Sequence, residues 1–84
     1  MAKIRFTAHA LRRLEERSHQ FGISPVEFHK RIRETILLGR CSKSSIQNKV
    51  YCRYYNDNLS FFVVCKRMPD GFKVETVIIK IGRE

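Results

Sequence analysis

Lys49-Val50-Tyr51-Cys52-Arg53-Tyr54-Tyr55-Asn56-Asp57-Asn58-Leu59-Ser60-Phe61-Phe62-Val63-Val64-Cys65-Lys66 reads as two strands joined by a tight turn. Both flanks are rich in β-branched and aromatic residues, and Asn56-Asp57-Asn58 breaks the pattern between them. With Asp57-Asn58 as a two-residue turn, Tyr54 faces Phe61, Cys52 faces Val63 and Val50 faces Cys65. Those six side chains share one apolar face. The alternate positions put Tyr51, Arg53, Tyr55, Ser60, Phe62, Val64 and Lys66 on the other.

Downstream, Met68-Pro69-Asp70-Gly71 is a strong turn signal. A five-residue loop over 67–71 sets Phe62 beside Thr76 and Ser60 beside Ile78, adding Thr76 and Lys80 to the second face. The expected strands are residues 49–55, 59–66 and 72–81, with a weakly signalled short strand near Lys3-Ile4-Arg5 or Arg40-Cys41-Ser42.

Upstream the period changes to that of a helix. Thr7 is a candidate N-cap for a helix over 7–18, with Ala10, Leu11 and Leu14 as its apolar stripe. His9, Arg13 and Arg17 are four apart and stack in one row on the shoulder of that stripe. Gly22 can take a left-handed turn at the helix exit. Ser24-Pro25-Val26-Glu27 is a capping box with proline at the first helical position, opening a second helix over 25–38. Phe28, Ile32, Thr35 and Ile36 form its buried stripe, and Gly39 at C′ ends it. Helices first and strands after make an α+β pattern in a single domain, residues 1–84. Two helices should cover the first sheet face and leave the second open, basic and aromatic.

Seventeen Lys and Arg stand against eight Asp and Glu, a net charge of +9. That excess on 84 residues points to a polyanion, nucleic acid first. The longest apolar run, Phe61 to Cys65, is far too short for a membrane span, and Met1-Ala2-Lys3-Ile4-Arg5 holds no apolar signal core. A cytoplasmic protein with no membrane partner is expected. Cys41, Cys52 and Cys65 lack metal-ligand spacing, and Cys52 and Cys65 do not oppose each other. They read as small core hydrophobes, with no metal and no cofactor expected.

Two groups carry possible chemistry. In the His9-Arg13-Arg17 row, an imidazole suited to proton transfer stands beside cations that lower its pKa and hold phosphate. On the sheet, Tyr51, Arg53, Tyr55, Phe62, Thr76, Lys66 and Lys80 resemble a platform where bases stack on rings and phosphates meet cations. The plain alternatives are a solvated helix face and ordinary strand composition. His29, at the edge of the second helix's stripe, reads as a packing residue, and His19 as solvated. Asp57 and Asp70 are turn residues, which leaves few carboxylates for magnesium. Metal-free RNA cleavage, with the 2′-hydroxyl as nucleophile, is the catalytic option that remains.

The stretch Phe6-Thr7-Ala8-His9-Ala10-x-x-Arg13-x-x-x-Arg17, then Phe21-Gly22-Ile23-Ser24 and a helix closing at Leu38-Gly39, resembles a small bacterial family similar to RelE-like toxins and the barnase–EndoU–colicin–RelE ribonucleases. Val74-Glu75-Thr76-Val77-Ile78 looks like that family's closing strand. The chain departs from the pattern at Ser18-His19-Gln20-Phe21, an apparent insertion between the helices. The resemblance implies two helices on a four-stranded, mainly antiparallel sheet. It also implies a toxin-type, metal-independent endoribonuclease opposed by an acidic antitoxin protein. Its implied catalytic residues are His9, Arg13, Arg53 and Thr76. In the reading of the residues themselves, Arg12, Arg17, Tyr51, Tyr55, Phe62, Lys66 and Lys80 bind RNA. The alternatives are a non-catalytic RNA- or DNA-binding module and a basic protein-docking domain.

Overall fold

The computed structural model describes residues Lys3–Arg83; Met1, Ala2 and Glu84 lie outside the described residues. The order is β1 (Lys3–Phe6), α1 (Ala8–Gln20), α2 (Pro25–Leu38), β2 (Arg40–Lys43), β3 (Lys49–Asn56), β4 (Leu59–Met68) and β5 (Gly71–Ile81). The strands form one five-stranded sheet, β1-β5-β4-β3-β2, with β1 parallel to β5 and the other pairs antiparallel. The α+β class stands, but the four-stranded, mainly antiparallel sheet is corrected to a five-stranded mixed one. Both short candidate segments form strands, one at each edge. The parallel pairing follows from connectivity: α1 and α2 lie between β1 and the meander, and Thr7 N–H bonds the Val74 carbonyl at 3.0 Å.

Both helix starts follow from their caps. Thr7 accepts from the Ala10 N–H at 3.0 Å and Ser24 from the Glu27 N–H at 3.2 Å. Gly22 takes φ 67°, the left-handed turn expected of it. α1 continues to Gln20, so the apparent insertion at 18–21 is mostly another turn of helix. Leu11, expected in the buried stripe, is 46% exposed; Ala10, Leu14 and Ser18, each four apart, face the core instead.

The two helices cover one sheet face. Ala10, Leu14, Phe28, Ile32 and Ile36 pack with Val50, Cys52, Phe61, Val63, Cys65, Val74 and Val77. Phe28 and Phe61, both fully buried, join α2 to β4 with ring centroids 5.5 Å apart. The buried Thr35 hydroxyl donates to the Arg31 carbonyl at 2.8 Å, which satisfies it inside the core. His29 packs its ring 4.5 Å from Phe6; burial first, and then Arg33, pull its pKa below the ordinary imidazole value.

The β3–β4 register matches the sequence reading, with Val50↔Cys65, Cys52↔Val63 and Tyr54↔Phe61 in pairs. Asp57 and Asn58 both have positive φ, the type I′ geometry that suits a two-residue hairpin. Arg31 of α2 clamps this turn, donating to Glu27 and to Asp57 at 3.1 Å each. Burial opposes the charge of that guanidinium, but the two carboxylates outweigh it and raise its pKa.

The β4–β5 register is corrected. The strands run on to a two-residue turn at Pro69-Asp70, where Met68 pairs with Gly71 and Cys65 with Val74. The register then slips by one, because Glu75 is an unpaired bulge, and Val64 pairs with Thr76 and Phe62 with Ile78.

Gly39 caps α2 in an extended conformation, φ −78° and ψ −180°, not the left-handed C′ expected of it. Glycine is required there by close approach, since a Cβ would stand 2.5 Å from the carbonyl oxygens of both Arg53 and Thr35. Gly39→Ala is expected to cost about 1–3 kcal/mol of unfolding free energy, the usual penalty for forcing atoms into a packed site. The check is a lower denaturant midpoint at unchanged slope; an unaltered midpoint would contradict the close approach.

Candidate nucleic-acid interface

The bulge returns Val77 and Ile79 to the helix side and sends Thr76, Ile78 and Lys80 to the other. The uncovered face therefore combines Tyr51, Arg53 and Tyr55 of β3 with Ser60, Phe62 and Val64 of β4 and those three of β5. Tyr51, Tyr55 and Ile78 are 46%, 38% and 43% exposed, a large apolar and aromatic area for a face with no helix on it. Lys80 Nζ lies 5.8 Å from the Phe62 ring centroid, and Arg83 Cζ 4.6 Å from that of Tyr55.

Two hollows mark this face. A terminal one of about 410 Å³, near the β3–β4 turn, is lined by Arg40, Arg53, Tyr55, Phe62 and Arg83 among others. A central one of about 700 Å³ is lined by Tyr51, Arg53, Val64, Ile78 and Lys80, with Arg40 on its β2 side. No acidic residue lines either hollow. Arg40 and Arg53 are direct cross-strand partners. Like charges at that position repel, and no ion pair compensates either one among the described residues.

The neighbouring pair, Cys41 and Cys52, forms a disulfide that ties edge strand β2 to β3. This corrects the reading of all three cysteines as free core thiols: Cys52 is buried but bonded, and Cys41 is exposed on the edge strand. Only Cys65 is free, buried beneath the helices with its Sγ 3.7 Å from the Val50 carbonyl. Burial, helped by the nearby Glu75 carboxylate, pushes its thiol up to about 11.

The expected catalytic set does not come together. His9, Arg12, Arg13 and Arg17 lie on α1 in the helix layer, while Arg53 and Thr76 lie on the far face of the sheet. Neither hollow includes an α1 residue. His9 is exposed. Glu16 sits 3.8 Å from Arg13, and Arg17 donates to Gln20 at 3.3 Å. Among the RNA-binding candidates, Tyr51, Tyr55, Phe62 and Lys80 line the hollows. Lys66 lies toward the other end of the face, between Lys49 and Lys73. Lys49 there is matched by Glu75 at 3.7 Å.

The sequence reading missed Arg40 and Arg83. Arg40 carried no signal of its own, because its value comes from standing opposite Arg53 on a strand only weakly marked. Among the described residues, no three His, Cys, Asp or Glu side chains gather where they could hold a metal ion. No helix is long and apolar enough to cross a membrane. Comparison with protein-family models, with curated proteins and with solved structures finds no match to this chain.

The cysteine arrangement predicts an ordered alkylation pattern. The native, unreduced chain should take up no iodoacetamide at neutral pH, since Cys41 and Cys52 are bonded and Cys65 is buried and protonated. After mild reduction Cys41 should be labelled first and Cys65 only on unfolding. Mass spectrometry of tryptic peptides reads the order, and early labelling of Cys65 would contradict it.

Proposed function

We propose that this chain binds single-stranded RNA across the uncovered face of its sheet. The observation that supports this best is the pair of opposed arginines, Arg40 and Arg53, on a face whose two hollows offer aromatic rings and no acid. Folding alone gains nothing from two arginines without ion pairs at directly opposed strand positions, whereas a phosphate between them relieves their repulsion. Tyr51, Tyr55 and Phe62 supply surfaces for bases, and stacking of this kind tolerates any sequence. A net charge of +9 favours encounter with a polyanion.

Cleavage of the toxin type, with an acidic antitoxin as partner, is the second reading. The same arginine pair favours it, because converging cations stabilise the charge that builds on a phosphate during 2′-hydroxyl attack. The separation of His9 and Arg13 from Arg53 and Thr76 counts against the four acting as one site. If His9 served chemistry, His9→Ala would abolish cleavage and leave affinity intact.

The binding test is a salt titration with a fluorescent single-stranded RNA. Affinity should fall linearly on a log–log plot, and Arg53→Ala should reduce the slope by about 0.7, one phosphate contact on a single strand. His9→Ala should leave slope and affinity unchanged. Affinity insensitive to Arg53→Ala, or a dimer that hides the face and retains no RNA, would contradict the proposal.

A further inference from the structure

We propose that the face reads RNA as a dinucleotide step: one nucleoside in each hollow, with the linking phosphate held between Arg40 and Arg53. This deepens the RNA-binding reading and rests on it.

The two hollows share only Arg40, Arg53 and Phe62 in their linings. The opposed arginines thus border both spaces. A cation pair at a boundary suits a charge that joins two neutral bodies. A phosphodiester flanked by two nucleosides has that shape. A mononucleotide, whose phosphate is terminal, would leave one hollow unfilled.

The hollows are chemically unequal to the arginines and comparable to each other in kind. Tyr55 gives the terminal one a ring, and Arg83 lies against it. Tyr51, Val64 and Ile78 give the central one an aromatic and aliphatic wall. Phe62 stands between them, where a base on either side meets its ring. At about 410 and 700 Å³ both fall within the range of sites that enclose small organic ligands.

The disulfide supports the same geometry. Arg40 is on the four-residue edge strand β2, which would be a poor platform if its only fixture were its hydrogen bonds to β3. Cys41, the next residue, is bonded to Cys52, the neighbour of Arg53. The covalent link therefore joins the two strands one residue from the arginine pair, behind the open face, and holds together the backbone from which both arginines project. A continuous electrostatic track needs no such tie, but a clamp on one phosphate does.

The test is a ligand ladder on the full chain by isothermal titration: a nucleoside 5′-monophosphate, a dinucleoside monophosphate, a trinucleotide and a decanucleotide, all RNA. The dinucleoside monophosphate should bind about tenfold or more tighter than the mononucleotide, as expected when a second base gains a stacking surface. The trinucleotide should add only about twofold more, from its two alternative registers. Tyr51→Ala and Tyr55→Ala should each erase the step between one and two nucleotides, Arg40→Ala and Arg53→Ala should each weaken both ligands, and Lys30→Ala on the helix layer should change neither. An affinity that climbs smoothly with length, or a step that survives both tyrosine substitutions, would overturn the dinucleotide reading and leave RNA binding in place. Failure of even the decanucleotide to bind would overturn RNA binding itself, and the dinucleotide reading with it.

Discussion

A single unpaired residue, Glu75, decides which side chains of β5 meet the helices. The tight turn at Pro69-Asp70 fixes the near half of the β4–β5 ladder, with Val74 against Cys65 in the core. Continued without a break, that ladder would place Thr76 opposite Val63 on the helix side and turn Val77 outward. The bulge absorbs one residue and reverses this, so Val77 is buried and Thr76, Ile78 and Lys80 stand on the far side. Hydrophobic burial selects the bulged register: two branched side chains enter the core and a lysine is kept out of it. The central hollow, lined by Ile78 and Lys80, depends on that choice.

On the face so made, the energetics of folding and of binding pull apart. Arg40 opposite Arg53 destabilises the edge of the sheet, and the adjacent Cys41–Cys52 bond offsets this by holding β2 to β3. In the layer beneath, Arg31 is flanked by Glu27 and Asp57, and Glu16 stands near Arg13. Arg31 is charge that serves the fold, since it ties α2 to the β3–β4 turn.

Much of this fold is legible in the sequence wherever the determinants are local. Thr7 and Ser24 cap helices because their hydroxyls satisfy the first free amides. Asp57-Asn58 fixes a hairpin because both residues tolerate positive φ. Features that depend on partners distant in sequence are not legible in the same way. Four residues at Lys3–Phe6 become a strand only beside β5, and Arg40–Lys43 only beside β3. The alternation of Val74 to Ile81 is compatible with a bulge at Glu75 but does not locate it. The same distinction explains the candidate site. The His9-Arg13-Arg17 row is a true feature of α1, yet it occupies the wrong layer to meet Arg53. The aromatic-basic face was readable from strand parity, whereas Arg40 and the Cys41–Cys52 bond were not, because both require the β2–β3 register.

The central claim is that RNA lies on the uncovered sheet face and not along α1. Photocrosslinking with a single-stranded RNA carrying 4-thiouridine, followed by mass spectrometric mapping of the modified peptides, tests it directly. The account predicts adducts within β3, β4 and the end of β5, concentrated at Tyr51, Tyr55 and Phe62. Adducts confined to residues 8–20, around His9 and Arg13, would contradict it.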